Sequence, residues 1–556
     1  MRRIAPTLLL ALAVLGLSSA MPQAAFAQDE GKDKGGEGDT TPHRHVDVSP
    51  YIEAAQVISQ EFSPGNDFVT YTRVAAGVDA NVQGRNSAGS VSLRYERRIG
   101  WREGDPDGDL FSGIARVGVG VLPNKALTLE AGGLAAQTRV TGNGGAILSP
   151  IVDNPGRSNI YAAYAGPSLH TYAGDLEVQG HYRIGYAKVE EPDSLVTAPG
   201  ADPIDVFDQS VVQNAQARVG FRPNTILPVG VGLGGGYYQE DVSNLDQRVR
   251  DRWVRGDVGM PLSPSLEVVG GVGYENVTVS NRDVLRDGLG NPEIGSDGRY
   301  LTDKSTARKI AYQTDGLIWD AGVVWRPSRR TSLEAHVGRR YGSMSYYGSL
   351  SYNPSPRASF NVGVYDSISG FGGQINTALA DLPTDFDVVR NPISGDITGC
   401  VASLQGGQCI GGILNGIRSS TYRARGVSGT FGVKFGHLQA GIGAGYDNRE
   451  YIGAEGTILA DANGRSDQSV WASAYVSGRL DEHSGFGANI YVNWLDSGLV
   501  NAGKSTGYGA SANYYRNITQ HLSATAAVSL DGVKNDDIVD EKTLTGAALL
   551  GVRYSF

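Results

Sequence analysis

The sequence predicts an all-β fold: a single transmembrane antiparallel β-barrel of about 22 strands (range roughly 18–22), with short periplasmic turns and long extracellular loops. Three observations carry that expectation. The closing segment 544–556, LTGAALLGVRYSF, alternates: Leu544, Gly546, Ala548, Leu550, Val552, Tyr554 and Phe556 share one face, and Thr545, Ala547, Leu549, Gly551, Arg553 and Ser555 the other. An apolar face backed by a small and polar one suits lipid outside and water inside. Connections between such segments are alternately short and long, which gathers turns on one rim and loops on the other. Beyond an N-terminal apolar run, no stretch approaches the ~20 consecutive apolar residues a membrane helix needs, so any crossing falls to strands.

Taken from the N-terminus, Arg2 and Arg3 precede an apolar run over 8–17, and Ala25-Phe26-Ala27 is a small-x-small cleavage site before Gln28. Residues 1–27 are therefore read as a signal peptide cleaved after Ala27, which exports the chain towards the outer membrane. Residues 28–45 are charged and Gly-rich without apolar periodicity, a disordered tail. His43 and His45 flank Arg44 there, and without further ligands a solvated tail is a better reading than a metal pair. Residues 46–556 are assigned to the barrel.

Clean strand patterns include Phe486, Ala488, Ile490, Val492 and Trp494 facing out against Gly487, Asn489, Tyr491 and Asn493 facing in. Short turns fall at 122–125, 223–226, 261–264, 327–330, 354–356, 436–437, 481–483 and 519–521, and longer loops at 143–158, 191–209, 281–314, 370–420 and 454–467. The hairpins echo one another. After a turn the next strand opens Leu129-Glu130-Ala131, Leu176-Glu177-Val178, Leu266-Glu267-Val268 or Leu333-Glu334-Ala335. Before a turn an aromatic precedes Pro, as in Phe221-Arg222-Pro223 and Trp325-Arg326-Pro327, where Pro stops the ladder and the ring sits in an interfacial girdle. Strict alternation aims Arg97 and Arg339 at lipid, at a cost of about 2–4 kcal/mol at mid-membrane. A bulge or a position at the outer interface is expected at each.

Composition excludes some functions. Losing Arg2 and Arg3 with the leader takes 48 basic residues to 46, against 58 acidic ones, so nucleic acid is not a partner. The two cysteines, Cys400 and Cys409, share one loop and are read as a local disulfide in an oxidising compartment, with a metal pair or free thiols as alternatives. Gly498–Ser505 matches the nucleotide P-loop pattern, but 507–514 reads as a strand, whereas that loop must open a helix. Gly503–Gly507 matches G-x-S-x-G without the strand-to-helix turn or a usable His, His521 lying in a turn on the opposite rim. Asp105-Pro106-Asp107-Gly108-Asp109 resembles half a calcium loop with Arg116 where the bidentate carboxylate belongs, so a solvated acidic turn is preferred to a cation site. Gly441–Gly445 is a strand interior rather than a dinucleotide fingerprint. No catalytic residue, metal or cofactor is assigned.

What remains is an arrangement of charge. Alternation points Glu130, Glu177, Glu267 and Glu334 into the lumen just above the periplasmic turns, and supplies inward Arg116, Arg183, Arg218, Arg222, Arg255, Arg326 and Arg340. Such a set gives either a transverse field across a water-filled pore or cross-strand pairs that neutralise the wall. A barrel of this width is too wide to be filled by its own side chains. The loop 370–420 carries both cysteines and opens with an amphipathic stretch at 375–382, and is the natural constriction; an external cap or adhesive loop is the alternative. Its Asp381, Asp385 and Asp387 are expected to approach wall arginines such as Arg326 and Arg340.

Val48-Ser49-Pro50-Tyr51-Ile52-Glu53, Ser92-Leu93-Arg94-Tyr95-Glu96-Arg97-Arg98, the run PSRRTSLEAHVGRRY over 327–341 and the closing Val552-Arg553-Tyr554-Ser555-Phe556 resemble the outer-membrane β-barrel porins of Gram-negative bacteria, of the sphingomonad type. The resemblance covers nearly all of the mature chain and implies residence among outer-membrane lipid and lipopolysaccharide. The terminal Tyr554 and Phe556 resemble the signal read by the barrel-assembly machinery. The expected function is passive passage of small hydrophilic solutes and not enzymic. A surface adhesin acting through its loops, or a dedicated exporter or importer with a periplasmic partner such as a polysaccharide outlet, are the alternatives. Solute, selectivity and oligomeric state are not legible.

Overall fold

In the computed structural model, residues 45–102, 105–141, 144–146, 157–190, 204–206, 208–395, 397–402, 408–409, 414, 417–499, 503–536 and 541–556 are described. The expected signal peptide and tail fall outside them, apart from His45, which opens the first strand.

Alternating segments pair with their sequence neighbours because each buries one face and solvates the other. The first half of the wall is β1 His45–Ser63, β2 Phe68–Gln83, β3 Ser87–Gly100, β4 Gly108–Gly120, β5 Leu127–Thr141, β6 Arg157–Ala173, β7 Leu176–Glu190, β8 Gln209–Phe221, β9 Gly230–Val242, β10 Gln247–Ser263 and β11 Leu266–Asn281. The second half is β12 Lys309–Ser328, β13 Thr331–Arg340, β14 Ser343–Ser355, β15 Ala358–Ser369, β16 Tyr422–Phe435, β17 Leu438–Tyr451, β18 Ser466–Arg479, β19 Ser484–Asp496, β20 Lys504–Asn517, β21 Leu522–Asp536 and β22 Glu541–Ser555. β22 pairs antiparallel with β1, from Tyr51↔Ser555 to Ser63↔Leu544, and closes the sheet into a barrel of 22 strands. The three-residue strand Gly144–Ala146 pairs with β5 and adds nothing to the ring.

Side chains sort as a membrane barrel requires. On β22, Leu550, Val552 and Tyr554 are exposed on the outside while Ala547 and Leu549 are buried on the inside. Elsewhere Val254, Val258, Leu317, Trp325, Ile490 and Val528 are exposed outward, whereas Arg73, Arg94, Glu96, Asp251 and Glu275 are buried inward. Turns such as 174–175, 264–265, 329–330, 356–357 and 436–437 lie on one rim; the connections after β11 and β15 leave from the other. Arg97 is explained by position: β3 pairs without a bulge on both sides, and the guanidinium meets Asp107 at 2.6 Å and Asp109 at 3.4 Å at the long-loop rim. Arg339, exposed, is the penultimate residue of β13 on the same rim.

The wall is not uniform. β13 and β14 meet in a two-residue turn, Tyr341-Gly342, on the rim from which the long loops leave, and both residues have positive φ, 53° and 68°. β14 pairs with β15 only from Gly348↔Val364 towards the turn at 356–357, so 343–347 and 365–369 are unzipped from each other. Arg423 of β16 spans this seam, donating to Ser343 Oγ at 2.6 Å.

Several motifs lose their chemistry here. Lys504 and Ser505 open β20 instead of a helix, and Ser505 Oγ donates to Asn535 Oδ1 at 2.7 Å. Gly441–Gly445 lies within β17. Asp105 accepts the backbone N–H of Trp101 and Arg102 at 3.1 and 2.7 Å, and with Asp107 and Asp109 bound to Arg97 the acidic turn has its partners already. Among the described residues no cluster of three or more His, Cys, Asp or Glu is placed to hold a metal.

Candidate functional site: a strap inside the lumen

The segment between β15 and β16 folds into the barrel. It opens with a helix, α1 Phe371–Ala380, whose sequence FGGQINTALA begins with poor helix formers. Packing supplies what propensity does not. Phe371, Ile375 and Leu379, spaced four apart, make one buried face against Ile114 of β4, Leu134 and Ala136 of β5, Ile160, Ala162 and Tyr164 of β6, Ala187 and Val189 of β7 and Val242 of β9. That part of the inner wall is apolar, and the helix is its cover.

One anchor is Glu240 of β9, fully buried. Its carboxylate accepts the N–H of Gly370 at 2.7 Å and of Gly373 at 3.0 Å, the unpaired donors of a helix N-terminus, along with Ser210 Oγ at 2.8 Å and Tyr238 Oη at 2.7 Å. Gly373 permits the approach, because a Cβ there would overlap Tyr238 Oη. The second anchor lies on β1–β4. Arg73, Arg94 and Arg98 interleave with Glu53 and Glu96, with Arg94 at 2.9 Å from Glu53 and 3.2 Å from Glu96 and Arg98 at 2.9 Å from Glu96. Arg73 donates to the carbonyls of Ile393 at 2.5 Å and Pro392 at 3.2 Å. Arg390 of the strap donates back to Ser112 Oγ at 2.8 Å and Ser92 Oγ at 3.0 Å. Ile393 itself is buried against Val57, Tyr71 and Leu549. At the start of β16, Tyr422 Oη donates to Gln374 Oε1 at 2.5 Å, tying the helix to the strap's far end.

Of the loop aspartates, Asp381 comes near wall arginines, though not Arg326 or Arg340, and Asp385 meets an amide. Asp385 accepts from Asn81 Nδ2 at 2.6 Å. Asp381 lies near Arg183 and Arg116, and burial raises its carboxyl above the ordinary range against the pull of those two cations. Burial also raises that of Asp387, with the charges of Asp385 and Asp79 adding to it and Lys434 opposing. Arg340 is instead committed to Asp251 at 2.7 Å and Glu275 at 3.0 Å, and Arg326 gives its backbone N–H to the Ser265 carbonyl at 2.7 Å. With Arg340 already paired, the expected pairing with these two arginines does not form among the described residues.

Most of the other wall charges stand beside counter-ions on the same strand or one or two strands away. Glu130 meets Arg116 at 3.7 Å and Arg183 at 3.3 Å; Glu177 meets Arg222 at 3.4 Å and His170 at 2.9 Å. Arg218 meets Asp257 at 2.5 Å; Arg255 meets Asp320 at 2.6 Å; Glu334 meets His336 at 3.0 Å; Glu267 lies over Gly259. Cys400 and Cys409 are register partners in a small sheet formed by Asp387–Arg390, Ile397–Ala402 and Gln408–Cys409. Tyr554 and Phe556 make an edge-to-face pair at 5.1 Å between ring centroids.

The anchors were not singled out from the sequence, yet one signal for them exists. Arg94, Glu96 and Arg98 share a face of β3, and three successive inward charges on one strand need a buried counterpart.

Between α1 and strands β8–β10 and β13–β18 a cavity of about 650 Å³ remains, lined by Trp253, Tyr365, Trp471, Asn361, Gln374 and Arg340 among others.

No protein-family model and no curated protein matches the sequence. Among solved structures it is similar to the FrpB iron transporter from Neisseria meningitidis in its apoprotein form (10% identity, 91% of this chain and 81% of that chain, TM-score 0.44). It is also similar to the siderophore receptor PiuA from Acinetobacter baumannii (9%, 91% and 82%, TM-score 0.42) and to the copper transporter OprC (11%, 93% and 82%, TM-score 0.38). Likenesses at these values bear on neither cargo nor energy source.

Proposed function

We propose that the protein is an outer-membrane channel that lets small hydrophilic solutes pass without an energy source, with the 370–420 strap as its constriction. The observation that carries this is the helix α1, which covers one side of a wide lumen while leaving the cavity beside it. Defined single-channel levels in planar bilayers support the reading. Silence at all voltages would move it to a surface barrel acting through its loops, or to a carrier that opens only with a partner.

Two further results are expected. Cys400 and Cys409, opposite one another in antiparallel register, fit the Cα separation of a disulfide. Intact-mass analysis of unreduced protein treated with an alkylating reagent should show neither cysteine alkylated, and Cys400→Ser with Cys409→Ser should make gating noisier by freeing the loop's states. Two alkylated cysteines would sink this.

The second concerns acid. Asp381 and Asp387 have raised pKa values when the strap is seated, so the seated state binds protons more tightly than a free strap. Seating is therefore favoured as pH falls through the raised values, is fully favoured below the ordinary carboxylate range near about 4, and loses this contribution as pH rises. Mild acid should lower open probability; opening on acidification would contradict it.

A further inference from the structure

The cavity has three aromatic rings seated over glycines of its wall. Trp253 of β10 is the register partner of Gly236 on β9, Tyr365 of β15 that of Gly426 on β16, and Trp471 of β18 that of Gly445 on β17. A Cβ built on any of these glycines would overlap the partner ring, so each ring occupies the space of the side chain its neighbour lacks. Rings so placed reach across the adjacent strand, and all three line the cavity; the Arg340 guanidinium lies 5.9 Å from the Trp253 ring centroid. They are fixed platforms, since the glycine pocket removes the rotamer freedom of a ring standing free in water.

Most charges at this cavity are matched; the exception is Asp381, whose carboxyl is pushed by burial towards its neutral form near Arg183 and Arg116. Arg340 pairs with Asp251 and Glu275, Arg449 with Asp447 at 2.5 Å, and Arg423 with Asp366 at 2.7 Å. The lining also carries neutral amides and a hydroxyl, including Asn214, Gln216, Asn361, Gln374 and Ser428. A solute that suits such a lining has flat apolar faces for the rings, many hydroxyls for groups that both donate and accept, and no net charge. Sugar rings in a neutral oligosaccharide have all three properties.

We infer that this cavity is a saccharide subsite, in which pyranose faces stack on Trp253, Tyr365 and Trp471 while amides of the wall and of α1 bind the hydroxyls. The inference rests on the channel reading and names its solute class. The test is block of single-channel current by maltohexaose, compared with a polyethylene glycol of equal hydrodynamic size and with hexagalacturonate. Maltohexaose should block best. Trp253→Ala with Trp471→Ala should weaken its block roughly tenfold. That double variant should leave block by the polyethylene glycol unchanged, and Trp→Phe at both sites should restore most of the loss. Equal block by maltohexaose and the glycol, tighter block by the charged oligomer, or an unaffected double-alanine variant would each overturn it. If the wild type gives no current, the channel reading falls by itself. Saccharide binding is then read from quenching of tryptophan fluorescence in detergent, and its absence overturns the inference independently.

Discussion

Deleting residues 372–418 is expected to raise single-channel conductance several-fold and to flatten any selectivity. The strap is seated on both the β9 wall and the β1–β4 wall, and a barrel of 22 strands is too wide to be filled by its wall side chains. Removal should spare the wall, since every strand keeps both of its paired neighbours and the strap enters and leaves between two adjacent strands, β15 and β16. Heat-modifiable migration on gels would report an intact barrel. Unchanged conductance in a folded deletion variant would mean that the strap does not limit flow, and the surface-barrel alternative would then move ahead.

The second large effect is expected at Glu240. Glu240→Ala removes the carboxylate that accepts Gly370 and Gly373, leaving the helix N-terminus without its buried partner and stranding Ser210 and Tyr238. Charge-assisted bonds and an anion at a helix N-terminus together are worth on the order of 3 kcal/mol, enough to shift a seated strap to one that samples other states. Open-channel noise and limited proteolysis within 371–395 should both rise, with Glu240→Gln intermediate because it keeps the shape and one acceptor. A trace as quiet as the wild type in Glu240→Ala would show that the seat is held elsewhere, at Arg73 and its neighbours.

The wall was legible because its determinants are local. Alternation in twos specifies a strand, its two faces and, through turn chemistry, the rim on which it ends, as residues 522–530 and 544–556 show. The strap was legible only as a candidate. That 370–420 is long and carries an amphipathic stretch lies in the sequence, but its seat depends on pairings such as Asp385 with Asn81, separated by 304 residues, or Arg73 with the Ile393 carbonyl, separated by 320. Nothing in the spacing of either partner marks the other. Glu240 was passed over for a related reason: one acid on a strand reads as wall charge until a helix end arrives to use it. The cavity rings fall between these cases. Each sits opposite a glycine in register, a relation that needs only neighbouring strands, and a reader who laid β17 against β18 would have found Gly445 facing Trp471.

Pairing of β1 with β22 also orders events in time. The ring cannot close until the final strand exists, yet contacts such as Ser59 Oγ to the Gly546 carbonyl bridge 487 residues, so the chain must be kept from premature pairing for most of its synthesis and transit. The strap sharpens the constraint. Its berth on β1–β4 is made of the earliest strands, whereas its tethers, β15 and β16, form much later. Once the last seam shuts, the only way in is through the mouth. A barrel that closes first must therefore pass its strap in through the mouth to reach the β1–β4 berth.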